Sequence, residues 1–127
     1  EGRLTMLIDE YRRSWALRCI REAEAQLEAA RTSPDAMPTL IIEALRKAQT
    51  AVYYSLGEPS VLEKIVMEAL RDDVTIREPV LRCLVELERS IEMISNMPVS
   101  AAEEALKEAD EVVKVAAEIV FSLVSKD

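Results

Sequence analysis

The chain has 127 residues, half of them apolar and 31% charged, with only two glycines and five prolines, a balance that predicts one helical domain over residues 1–127 and excludes a low-complexity segment. Its formal charge of -8 disfavours generic coating of polyanions. Histidine is absent altogether, which removes Ser-His and Cys-His nucleophile pairs, HExxH-type metal helices and imidazole proton transfer near neutral pH.

A first helix is predicted from about Leu4 to Arg31, with Leu4, Ile8, Tyr11, Trp15, Cys19, Ala23, Leu27 and Ala30 at steps of three and four. Thr32 to Met37, with Pro34 and Pro38 nearby, makes a short connection to a second helix from Pro38 to Leu56, which Gly57 stops. On that helix Ile41, Leu45, Ala48, Val52 and Leu56 fall within about 40° of one line. Tyr53 lies at the edge of the stripe, half buried at the margin, and Tyr54 points to the other side beside Glu43, Lys47 and Thr50.

Ser60 with Glu63 reads as a capping box opening a short third helix to about Arg71. Thr75 with Glu78 reads as a second box, for a helix to about Asn96 whose stripe is Val80, Leu84, Leu87, Ile91 and Ile94. Pro98 closes it. Ser100 with Glu103 reads as a third box, opening a last helix that faces Ala102, Leu106, Ala109, Val113, Ala116, Val120 and Leu123 inward. Period-two alternation is missing throughout, so the fold class is all-α: an up-and-down, antiparallel four-helix bundle made of five helical segments, the short third one a connecting piece.

Apolar runs such as Val115 to Ala117 are broken by Lys114 and Glu118, and nothing approaches the roughly 20 residues that cross a bilayer. No signal peptide is expected either, and Cys19 and Cys83, 64 positions apart and outside any CxxC motif, read as reduced thiols of a cytoplasmic protein. Three side-chain amides in all, Gln26, Gln49 and Asn96, fit a thermophile-like composition.

Few residues suggest chemistry. Tyr11, Arg12, Arg13, Trp15, Arg18 and Arg21 form the one basic and aromatic concentration; Tyr11, Trp15 and Arg18 share a helix face while the other arginines scatter, a pattern of packing or dimerisation and not of a groove tracking phosphates. Tyr54 with Lys47 is the candidate ligand surface, since an aromatic beside a cation can stack and pair. Glu104, Glu108 and Glu111 line up at helical spacing, but no inward acidic pair faces them, so a solvated face is expected and neither a metal nor a cofactor.

The stretch SAAEEALKEADEVVKVAAEIVFSLV resembles the closing helix of HEPN domains, and WALRCIREAEAQLEAARTSPD followed by IIEALRKAQTAVYYSLGEPSV is similar to that family's first two helices. Active members carry an arginine and a histidine four to six residues apart near the end of the third main helix, forming a metal-independent ribonuclease site. Here the resemblance places Arg89 at the arginine position, and the histidine position holds Asn96, which can orient a group but not exchange a proton near neutral pH. What the resemblance implies is therefore a helical domain that dimerises and works beside a nucleotidyltransferase or a nucleic acid. The reading favoured by the residues is a non-catalytic interaction protein that forms a homodimer through Leu7, Tyr11, Trp15 and Arg18; the alternative is a nucleotide or RNA binder, or a degenerate ribonuclease, using Arg89, Asn96 and Tyr54.

Overall fold

The computed structural model describes the backbone of residues 2–56, 59–72 and 77–125 and the side chains of residues 10–56, 63–72, 77–98 and 100–125. Five α-helices follow one another: α1 (Gly2–Arg31), α2 (Met37–Leu56), α3 (Pro59–Asp72), α4 (Pro79–Ser95) and α5 (Ala102–Val124), with one 3₁₀ turn at Val99–Ala101 and no strand among the described residues. Prolines mark the beginnings, at the second position of α2 and the first of α3 and α4, where a missing N–H costs nothing and a fixed φ suits the first turn.

The fold is an all-α bundle. α1 packs on α2 and α5, α4 packs on the same two helices, and α2 also meets α5 across the middle; α3 leans on α4 and α2. α1 and α2 are antiparallel, since Trp15 stands level with Tyr54, Glu22 with Lys47 and Gln26 with Glu43. Their connection is tied by Thr32 N and Oγ1 donating to Ala29 O, both at 3.2 Å, and by Ala36 N donating to Ser33 O at 3.1 Å. Arg31 then anchors the end of α1 to α5 through Asp110, 3.0 Å away.

The core runs along α2. Ile41, Leu45 and Val52 are fully enclosed there, facing Ile20 of α1, Leu84 and Leu87 of α4 and Val113 and Val120 of α5 in one continuous cluster. Alanines set how closely the first pair approaches: Ala16, Ala23 and Ala30 recur every seventh residue on α1, α2 brings Ala44, Ala48 and Ala51, and all six are sealed from solvent. Ala23→Leu is accordingly expected to cost roughly 1–3 kcal/mol of unfolding free energy, because extra methylenes have nowhere to go between two backbones this close. Chemical denaturation checks it; an unchanged midpoint would show that the pair can separate freely.

Several expected details differ. α4 is capped by Glu78, whose carboxylate accepts from Leu81 N at 2.8 Å, and not by Thr75, which lies outside the described residues. Pro79 explains the shift, since it fixes the first helical φ directly after Glu78. Ser100 does not cap α5 either: it sits in the 3₁₀ turn, the cap position is Ala101 without a side-chain bond, and Glu103 and Glu104 in the first turn complement the helix dipole instead. The expected caps at Gly57 and Ser60 lie outside the described residues and side chains. Tyr53, expected half buried at the margin, is enclosed, with 8% of its surface exposed. On α5 the expected inward face is buried from Ala102 to Val120, with Leu123 half buried.

Candidate functional site

The aromatic residues of α1 and α2 meet on one face. Tyr11 meets the ring of Trp15 edge-on, with centroids 6.1 Å apart and planes at 69°. Trp15 in turn lies nearly parallel to Tyr54 of α2, at 6.4 Å and 19°. The guanidinium carbon of Arg18 sits 5.1 Å from the Trp15 ring centre, in cation–π range. Three aromatic rings and a cation thus form a ladder, half sheltered at Trp15 and Tyr54 and 60% exposed at Tyr11.

Register accounts for that gradient. With Trp15 level with Tyr54, α2 ends at Leu56 close to where α1 continues toward Tyr11, so the earlier turns of α1 have outrun α2. The buried stripe of α1 consequently runs through Ala16, Ile20, Ala23 and Ala30, while Tyr11, predicted as an interface residue, faces out. Leu7, the fourth residue expected on this face, lies outside the described side chains.

From this ladder a groove of about 400 Å³ continues between α1 and α2, past Cys19 and Lys47 to Gln26 and Glu43. Lys47, expected on an open ligand surface, donates to Glu22 Oε1 at 2.6 Å, and Glu22 also receives Arg18 Nε at 3.3 Å. The bond to Lys47 holds the Glu22 carboxyl below its usual range, and the same bond holds the Lys47 ammonium above its own. Burial pushes the Cys19 thiol up, against the opposing pull of Lys47 and Arg18, so it stays protonated and unreactive near pH 7. Further along, Gln26 Nε2 donates to Glu43 at 3.2 Å while Gln26 Oε1 is buried without a donor. These groups can bind and orient, and the Cys19 thiol, the Glu22 carboxyl and the Lys47 ammonium are each shifted away from neutrality.

Arg89 lies on α4 and Asn96 caps its end, and neither lines this groove. Both are exposed, two helical turns apart, which is about 10 Å of rise. Asn96 is occupied in ending the helix: its amide donates to Glu92 O at 2.9 Å and its backbone N–H to Met93 O at 3.2 Å. Glu104, Glu108 and Glu111 are exposed on α5, and among the described residues no three carboxylates or thiols gather closely enough to hold a metal ion. Also among the described residues, no helix is long and apolar enough to cross a membrane.

Sequence reasoning treated Tyr11, Trp15 and Arg18 as one site and Lys47 with Tyr54 as another, whereas the two form one surface. It placed Glu43 beside Lys47 and Tyr54 but missed Cys19, Glu22 and Gln26 as their neighbours. The one available signal was the seven-residue recurrence of Ala16, Ala23 and Ala30, which marks a close helix pair and hence which side of α2 is covered. Comparison of the chain with protein-family models, with curated proteins and with solved structures found no match.

Proposed function

We propose that this chain is a non-catalytic helical-bundle interaction protein that forms a homodimer through the aromatic face of α1 and the adjoining edge of α2. The observation that supports this reading is the ladder of Tyr11, Trp15 and Tyr54 with Arg18 over the middle ring, ending in the outward-facing Tyr11. Tryptophan, tyrosine and arginine are the residue types that dominate binding energy at protein contacts, because they bury much area at little entropic cost. The resemblance to HEPN domains fits a self-associating module, and a nucleotidyltransferase is the partner class it suggests. The nucleotide, RNA or ribonuclease alternative draws less support: Asn96 is committed to its helix end, Lys47 to Glu22, and Tyr54 to Trp15.

Tyr11→Ala is the cleaner test, since that ring is outside the core, and Trp15→Ala the stronger one. Each is expected to raise the dimer dissociation constant at least about tenfold, the effect of roughly 1.4 kcal/mol, in sedimentation or native mass measurements. A wild-type protein that stays monomeric at high concentration, or dimers indifferent to both changes, would end this reading.

A further inference from the structure

The seam between α4 and α5 carries a second recess, of about 390 Å³, unrelated to the aromatic face. Its floor is Cys83, 4% exposed, and its apolar wall is Val112 and Val115, the latter 47% exposed on the outer side of α5. Charge is sorted along it. Arg77 and Arg82 line the end where α4 begins, and Glu86 follows one turn later. Because α5 returns antiparallel after a short connection, Glu111, one turn before Val115, lies toward the Glu86 end.

All four charges are unspent: among the described residues none of them makes an ion pair within 4.0 Å, although Arg82 and Glu86 stand at the i, i+4 spacing that permits one. The neighbouring Glu78 is turned back on the α4 backbone. The recess therefore offers a cationic end, an apolar middle and an anionic end.

Such a surface is complementary to itself. A two-fold axis through its centre reverses its direction in a second copy, setting the arginine end of one chain over the glutamate end of the other and the valines over each other. For a chain of net charge -8 this matters, since two copies repel over most of their surface and can approach where opposite charges oppose each other. We infer that the α4/α5 seam is a second self-association surface, occupied by the same seam of another copy, with Arg82 of each chain opposite Glu111 of the other.

This contact is independent of the aromatic face. α1 and α4 each pack on both α2 and α5, so the α4/α5 seam lies on the edge of the bundle away from the α1/α2 face, and one chain can make both contacts at once.

A charge exchange tests it. In a Trp15→Ala background, which removes the aromatic contact, self-association is expected to persist; Arg82→Glu or Glu111→Arg alone should each raise its dissociation constant at least about tenfold by opposing like charges twice in each pair. An equimolar mixture of the two variants restores both opposite-charge contacts and should form a mixed dimer, within about threefold of the parent affinity, while neither variant pairs with itself. Val115→Asp should abolish pairing with either partner. Circular dichroism confirms that each variant is folded. A Trp15→Ala protein that is monomeric up to about 1 mM, or a mixture no better than its components, overturns the seam and leaves the aromatic reading standing; association unchanged by Trp15→Ala and lost with Arg82→Glu does the reverse.

Discussion

Leu45→Ala is expected to lower the free energy of unfolding by about 3–4 kcal/mol, in the middle of the range for a leucine removed from a close-packed interior. Leu45 has no exposed surface and sits on α2, the helix that touches every other helix of the bundle. A cavity there cannot close by a shift of α2, because moving toward one neighbour means leaving another, so the transfer loss and the cavity cost add. Against a total stability of roughly 5–15 kcal/mol the loss is large, and the thermal midpoint should fall by about 10–15 °C. Leu56→Ala, on the same stripe but half buried at the end of α2, should cost only about 1 kcal/mol. Thermal and urea unfolding of the pair checks this: equal costs would mean that Leu45 is no better enclosed than the end of its helix.

Alkaline pH should be the second large effect. Burial, with a smaller contribution from Glu86, pushes the Cys83 thiol from its usual 9.0 up to about 11. Burial, with Glu63 and Glu88 adding to it, pushes the Tyr53 hydroxyl from 10.0 up to about 12. Both groups hold their protons more tightly folded than unfolded, so the stability they contribute is complete below pH 9 and is lost as pH rises through 11 for the thiol and 12 for the phenol. Between pH 8 and pH 11 the two together should remove on the order of 4 kcal/mol, mostly through Cys83. Urea midpoints across that interval measure the loss, and in Tyr53→Phe the part of the slope between pH 10 and 12 should flatten. A midpoint that does not move from pH 8 to 11 would mean that neither group is withdrawn from water. Acid acts with the opposite sign at Glu22: its lowered carboxyl contributes stability above its ordinary 4.5, lost as pH falls through the folded value.

Much of the helical scaffold was legible in the residues. The stripes on α2, α4 and α5 are buried where their periodicity places them, from Ile41 to Val52, Leu84 to Ile94 and Ala102 to Val120. The caps were less legible. A serine or threonine three residues before a glutamate occurs often, and at α4 the adjacent Glu78 and Pro79 take precedence, while at α5 a 3₁₀ turn absorbs Ser100 before the helix begins. For the tyrosine pair, a wheel of α2 alone made Tyr54 an open surface, yet α1 crosses that side, lays Trp15 against it and draws Lys47 into a bond with Glu22.

By itself, then, the amino-acid sequence determined that this chain is helical, roughly where each helix runs and which stripe of α2, α4 and α5 turns inward, because these follow from interactions between residues three and four apart on one helix. Absent histidine set a limit on its chemistry in the same direct way. Only the tertiary structure decided that Tyr11, Trp15, Tyr54 and Arg18 form one ladder, that Lys47 is bonded across to α1, and that Arg82 and Glu111 flank one recess. Those pairings depend on the register of one helix against another, which is set by how alanines and larger side chains interlock over the whole length of a contact, and no local spacing records it.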